Sequence, residues 1–218
     1  MDEKKITLYG AKGSGSVAVE AAMTLTGVPY ELVDVSMDSP EELVAGVGPV
    51  NPMKQVPALL LPSGELMTES AAMLIGLADL HPEARMAPAP ADPGRAQFLR
   101  WMIYIPASIY SLYWIRDVPS RLAADKDAES VLLERTADRI ADCWKVMDEQ
   151  VSPGLYILGD EMTVLDLYVT VVSRWGPRRR RFYEVAPKMA EVVRRVDADP
   201  RLARFWAERY PFEDGWEG

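Results

Sequence analysis

The sequence predicts a two-part protein, an α/β domain followed by an all-helical bundle, and three observations carry that expectation. Residues 5–80 alternate β-prone runs with helix-period segments. Residues 81–94 hold four prolines and show no periodicity. Beyond residue 95 only helical spacing recurs. At 218 residues and 49% hydrophobic content, the chain can bury one large core or two modest ones. The expected division is therefore a first domain over 1–80, a linker over 81–94 and a helical domain over 95–218.

The first domain opens with Ile6-Thr7-Leu8-Tyr9, a short β-prone run, and a glycine- and serine-rich turn from Gly10 to Gly15. A helix-period segment follows, with Val17, Ala21 and Leu25 on one side. It ends at Gly27, a natural helix terminator. Tyr30 to Val35 alternates as a strand does. Ser39-Pro40-Glu41-Glu42 has the form of a capping box with proline at the first helical position, so a short helix starts there. Ala58 to Leu61, the turn Pro62-Ser63-Gly64 and Glu65 to Thr68 form a hairpin, and Ser70 to Leu80 forms the closing helix. The order βαβ, helix, ββα is that of a thioredoxin-like domain.

In the second part, Arg95 to about Arg116 reads as a long aromatic-rich helix kinked at Pro106. Glu129 to Gln150 places apolar residues at 133, 137, 140, 144 and 147, an amphipathic spacing. Thr163-Val164-Leu165-Asp166 reads as a cap before Leu167, Tyr168, Val169, Val171 and Val172. That helix is apolar nearly all round and is expected at the centre of the bundle. Segments from Pro187 to Val196 and Pro200 to Tyr210 complete it.

Composition narrows the function classes. A net charge of −9 disfavours nucleic acid and anionic membrane as partners. No apolar run approaches the roughly 20 residues of a membrane span, and the start Met1-Asp2-Glu3-Lys4-Lys5 does not lead into a signal-peptide core. The lone Cys143 allows no internal disulfide, fits a reducing cytoplasm and reads as a small buried hydrophobe. The single histidine, His81, is no metal ligand, so no metal is expected. Residues 1–90 carry 5 Lys+Arg against 12 Asp+Glu. An anionic ligand bound there must be attracted locally, by helix N-termini, Lys12 or Lys54. Arg178 to Arg181, after Gly176-Pro177, reads as a solvated turn with no assigned role.

The chemistry concentrates in Asn51-Pro52-Met53-Lys54-Gln55-Val56-Pro57 and in Thr68-Glu69-Ser70. Pro57 cannot donate to a ladder, so it belongs at a strand's mouth, and an X-Pro bond makes a cis peptide accessible there. The N–H and C=O of Val56 are then left to pair with an extended peptide. Glu69 offers a carboxylate for an ammonium, and the helix start at Ser70 offers N–H groups for a carboxylate. Such groups suit an amino acid attached to a short peptide.

This pattern, with the thioredoxin-like order, the proline-rich linker, Gly159-Asp160 and the Thr163–Asp166 cap, resembles the cytosolic glutathione transferases over nearly the whole chain. The resemblance implies a cytoplasmic homodimer that uses glutathione as co-substrate and conjugates its thiolate to a small, apolar electrophile. It equally accommodates a glutathione-dependent lyase, dehalogenase or disulfide reductase, or a non-catalytic binding module. By resemblance, Val56, Lys54, Gln55 and Pro57 form the glutathione loop, and Glu69 and Ser70 hold the γ-glutamyl end. Ser14 falls at the serine position of serine-type members, Gly15 where cysteine-type bacterial members carry cysteine, and Ser16 is the other hydroxyl in the turn. The arginine usual in the first helix is absent. The segment from Ser36 to Gly46 lacks the basic residue often used for the glycyl carboxylate. Either serine, or backbone N–H groups at the helix start, remains open as the thiolate donor. Tyr104, Ser108, Tyr110 and Trp114 are the expected electrophile pocket, Tyr110 matching a position from which bacterial members direct a polar group toward the sulfur. Lowering a thiol pKa by two units takes about 2.7 kcal/mol, within reach of one charge-assisted hydrogen bond and a helix N-terminus.

Overall fold

The computed structural model describes residues 5–37, 39–176 and 179–217. The first four residues of the expected N-terminal domain, and Pro177 and Arg178 of the basic turn, lie outside them.

Four strands, β1 (Ile6–Gly10), β2 (Tyr30–Asp34), β3 (Ala58–Leu60) and β4 (Leu66–Met67), form one mixed sheet in the order β2-β1-β3-β4. β1 runs parallel to β2 and antiparallel to β3, and β4 is antiparallel to β3. A parallel pair needs a crossover, supplied here by α1 (Ser16–Thr26), which ends at Gly27 in the left-handed conformation. α2 (Pro40–Val47) starts as expected, with Ser39 accepting from the Glu42 N–H at 3.1 Å. The hairpin strands are shorter than expected, closed by the Leu61 N–H on the Glu65 carbonyl at 2.9 Å. α3 (Ser70–Leu80) lies beside α1. The N-terminal domain is thioredoxin-like.

The stretch between the two parts is docked and not a loose tether. Met86 is buried in the core, and its carbonyl accepts from the Val164 N–H at 2.8 Å. Arg95 grips Asp79 with two bonds of 2.8 and 2.7 Å. The long aromatic segment divides into α4 (Arg95–Ile105), a π-helical turn (Pro106–Tyr110) and α5 (Ser111–Asp117). Pro106 has no N–H to continue the ladder, and the helix widens there in place of a simple kink. α6 (Lys126–Gln150) begins three residues before the expected Glu129, because Asp125 caps it through the Ala128 N–H at 2.8 Å. α7 (Val164–Val172) has all nine side chains buried. α8 (Arg179–Val185), α9 (Pro187–Asp197) and α10 (Ala203–Arg209) complete the helical part.

One apolar core joins both parts, running from Leu8, Val17 and Leu74 to Phe98, Trp101, Trp144, Tyr168 and Trp206. α7 is its hub, packed against α1, α3, α4 and α9. Within the basic run the expectation of a solvated turn is corrected at Arg179. That side chain is fully buried, donating to Asp197 at 2.8 Å and to the Thr170 carbonyl at 2.7 Å. Arg181 reaches Asp138 and Arg180 reaches Glu184.

Candidate functional site

The turn between β1 and α1 is built from small residues whose polar groups are almost all engaged. Ser14 is buried. Its hydroxyl donates to the Ala11 carbonyl at 2.8 Å and accepts from the Ser16 N–H at 3.2 Å. Ser16 is fully buried: its Oγ accepts from the Ala11 N–H at 3.0 Å and lies 2.8 Å from Glu20 Oε1. The two serine oxygens are 3.0 Å apart. They differ in what releasing a proton would cost. The Ala11 carbonyl has three donors around it, Ser14 Oγ, the Ser14 N–H at 3.2 Å and Ser16 Oγ at 3.2 Å. It stays satisfied if Ser14 turns its proton elsewhere, whereas Ser16 is locked against a buried carboxylate.

The helical part closes over this turn. A Cβ at Gly15 would sit 2.3 Å from the Tyr110 hydroxyl, so a cysteine there would collide with that ring. The Tyr110 hydroxyl thus lies directly over Gly15. Burial, with the Asp117 and Glu69 carboxylates, pushes Tyr110 up to about 12. It is therefore a neutral hydroxyl near pH 7. Two helix-start donors are taken within the turn: the Val17 N–H binds the Ser14 carbonyl and the Ser16 N–H binds Ser14 Oγ, each at 3.2 Å.

Beneath the turn lies a charged network that local sequence does not announce. Glu20 is fully buried on α1 and meets Arg209 of α10 at 2.6 and 3.2 Å. Arg209 also reaches Asp34 of β2 at 2.9 Å. The arginine missing from the first helix is thus supplied from 189 residues away. Burial works to lower the Arg209 pKa, but hydrogen bonds to Asp34 and Glu20 outweigh it and hold the group charged. The pairing matters because an isolated buried carboxylate would be strongly destabilising.

The loop before β3 is organised by Asn51, which is buried. Its Nδ2 donates to the Gln55 carbonyl at 2.8 Å, and its Oδ1 accepts from the Met53 N–H at 3.0 Å. Lys54 takes a positive φ of 57°, and the Val56–Pro57 bond is cis. The Val56 backbone makes no hydrogen bond among the described residues. Lys54 and Gln55 are exposed. Glu69 is exposed at the head of α3 with φ 66°, a conformation costly for a non-glycine residue. Its charge acts on both Tyr110 and Tyr168. Ser70 is buried, its hydroxyl 2.8 Å from that of Tyr168 on α7.

The four expected pocket residues separate. Tyr110 meets the turn. Tyr104 instead turns toward α6, its hydroxyl donating to the Cys143 carbonyl at 3.1 Å, and the Ser108 carbonyl faces Cys143 Sγ at 3.5 Å. Trp114 is exposed under the Arg121 guanidinium, 4.2 Å from the ring centre. The cause is helical geometry: residues 104 and 108 lie on one face of the helix, and Tyr110, six residues on from 104, lies on another. Sequence reading assigned no site role to Asn51, Tyr168, Trp175 or Arg209. Asn51 alone carried a local signal, an amide two residues before a loop N–H that it binds. Among the described residues no group of three metal-ligating side chains converges, and no helix is long and apolar enough to cross a membrane.

A thioredoxin-like domain whose β1–α1 turn and α3 head meet a helical part defines a class, and the chain belongs to the glutathione S-transferase family. The family's N-terminal domain model matches residues 16–80. The chain is 30% identical over 198 residues to the uncharacterized GST-like protein YncG of Escherichia coli (strain K12), spanning 90% of this chain and 95% of that one. It is 26% identical over 200 residues to glutathione S-transferase GstA of Escherichia coli O157:H7, spanning 89% and 94%. A mouse maleylacetoacetate isomerase is 26% identical over 172 residues, spanning 77% and 76%. Among solved structures, a glutathione transferase homolog from Sulfitobacter with bound glutathione superposes with a TM-score of 0.80 at 25% identity, covering 93% and 97% of the two chains.

Proposed function

We propose that the protein is a glutathione transferase: a cytoplasmic homodimer that binds glutathione and conjugates its thiolate to a small, apolar electrophile. One observation carries the reading. The head of α3, where Glu69 is exposed, meets the helical part through the Ser70 and Tyr168 hydroxyls at 2.8 Å, and Tyr110 of the same part lies over Gly15 of the turn. A ligand with an ammonium at one end and a thiol nearby can therefore span from Glu69 to the turn. The unpaired Val56 backbone suits the peptide between them, with Lys54 and Gln55 at its edge and the α3 start at Ser70 for its carboxylate. The Sulfitobacter homolog, crystallised with glutathione, supports the same ligand.

Ser14 is the thiolate donor in this reading. Its proton can leave the Ala11 carbonyl without stranding it, while Ser16 is committed to Glu20 and supports the turn from within. Tyr110 supplies the wall facing the electrophile. The engaged N–H groups at the helix start also favour a second reading, a glutathione-binding module without turnover. Calorimetry with glutathione, paired with turnover of a chromogenic aryl halide, separates the two. Binding with turnover supports the transferase, binding without turnover on a panel of electrophiles supports the module, and no binding overturns both.

A further inference from the structure

Gly13 stands at the tip of the turn with a positive φ of 68°, and both its backbone polar groups are tied to the helical part. Its N–H donates to the Arg209 carbonyl at 3.2 Å. Its carbonyl accepts from Trp175 Nε1 at 2.7 Å, across 162 residues of chain. Trp175 follows α7 and is half-buried. The same indole meets Tyr110 edge-on at 4.6 Å and Tyr113 at 5.1 Å. Arg174, next to it, is buried and fixes the segment that carries the other tie. It donates to the Tyr210 and Pro211 carbonyls at 2.9 and 3.0 Å and lies 3.6 Å over the Tyr210 ring.

We infer that Trp175 is a positioning residue for the thiol chemistry of this turn. Its N–H fixes the Gly13 carbonyl and its ring fixes Tyr110, so one side chain sets the turn bearing Ser14 in register with the aromatic wall above it. The inference rests on the transferase reading. Its physical basis is that a glycine-rich turn has many accessible backbone states, and that small misplacements at a reacting centre cost rate more than affinity. An indole used only for packing would not need its N–H aimed at the tip of the turn.

Trp175→Phe in the full chain keeps a ring against Tyr110 and Tyr113 and removes the donor. Without ligand, amide exchange over residues 12–16 should accelerate about tenfold while α7 amides hold their protection, the effect of losing one hydrogen bond of ordinary worth. With glutathione, the bound thiol should titrate about one pH unit higher and kcat for an aryl halide should fall about tenfold, while glutathione affinity stays within about twofold. Gly13→Ala approaches the same bond from its other end, straining the positive φ, and should give the same pattern if Trp175→Phe folds poorly. Folded variants with unchanged exchange and an unchanged thiol titration overturn the inference. So does a parallel loss of affinity and kcat, which would make Trp175 a packing residue only. Failure of the transferase reading shows separately: wild-type protein then binds no glutathione, and the positioning role falls with it even where exchange responds.

Discussion

Two helices of this protein begin in opposite ways. α7 is capped mainly by sequence neighbours: Asp166 accepts from the Thr163 N–H at 2.8 Å and hydroxyl at 2.9 Å, and its other oxygen accepts from the Ile157 N–H at 2.8 Å, while the linker's Met86 carbonyl takes the Val164 N–H. α1 has no side-chain cap at Gly15. Its turn is completed by Tyr110, Trp175 and Arg209, all from the helical part. A self-sufficient start gives a rigid centre at little entropic cost. A borrowed start makes the geometry of the turn's small residues depend on how the two parts meet. On the transferase reading, the first arrangement serves stability and the second serves chemistry.

The largest expected effect falls on the self-sufficient end. Asp166→Ala removes the cap and strands three buried donors, so it should destabilise the fold by about 3 kcal/mol, read from urea unfolding. Burial, opposed by its hydrogen bonds, pushes Asp166 up to about 6. A folded pKa above the ordinary carboxylate value means that this titration adds stability at acidic pH and loses it as pH rises through about 6. The gap between wild type and Asp166→Ala should therefore narrow over that range. A gap that widens would mean the hydrogen bonds hold the carboxylate ionised. Glutathione affinity of the folded fraction should not move, and a large change would break the division between the two helix starts.

The borrowed end should show the reverse. Glu69→Gln removes the charge offered to the γ-glutamyl ammonium and should weaken glutathione binding about tenfold, with the unfolding midpoint nearly unchanged. Unaltered calorimetry would take Glu69 out of the site. Ser14→Ala should raise the titration of the bound thiol by about one unit and lower turnover near neutral pH about tenfold, leaving affinity within a few-fold. Ser16→Ala leaves the Ala11 N–H without its acceptor and should cost about 1–2 kcal/mol of stability instead. If the titration responds to Ser16→Ala and not to Ser14→Ala, the hydrogen-bond accounting in the turn is wrong.

The same contrast explains what the sequence makes legible. The Thr163–Asp166 cap, the Ser39 cap and the glycine stop at Gly27 can be read because their partners lie within a few residues. The mixed sheet follows from the order of runs, and the central place of α7 from its uninterrupted apolar character. The tie between Gly13 and Trp175, the pairing of Glu20 with Arg209 and the contact of Ser70 with Tyr168 cannot be read this way. They join residues 98 to 189 positions apart, and no local pattern encodes a contact at that range. Periodicity likewise places Tyr104 and Ser108 on one face and Tyr110 on another, but could not show that Tyr104 meets α6 and Tyr110 the turn.

Tyr104 gives the smallest effect and a direct check on that separation. Its hydroxyl is partly exposed and donates to the Cys143 carbonyl at 3.1 Å, while its ring packs edge-on against Trp101 at 5.3 Å. Tyr104→Phe keeps the ring contact and loses one hydrogen bond, so stability should fall by about 0.5–1 kcal/mol. Because the ring faces α6, the substitution should leave the thiol titration and the preference among electrophiles unchanged. Tyr110→Phe removes a hydroxyl that lies over Gly15, and should alter turnover or preference with glutathione affinity held. The two variants delete the same atom from residues six apart on one helical segment, so comparing their turnover on a common electrophile panel isolates direction as the variable. Equal effects on preference would return Tyr104 to the electrophile pocket and show that the two faces are not divided in solution.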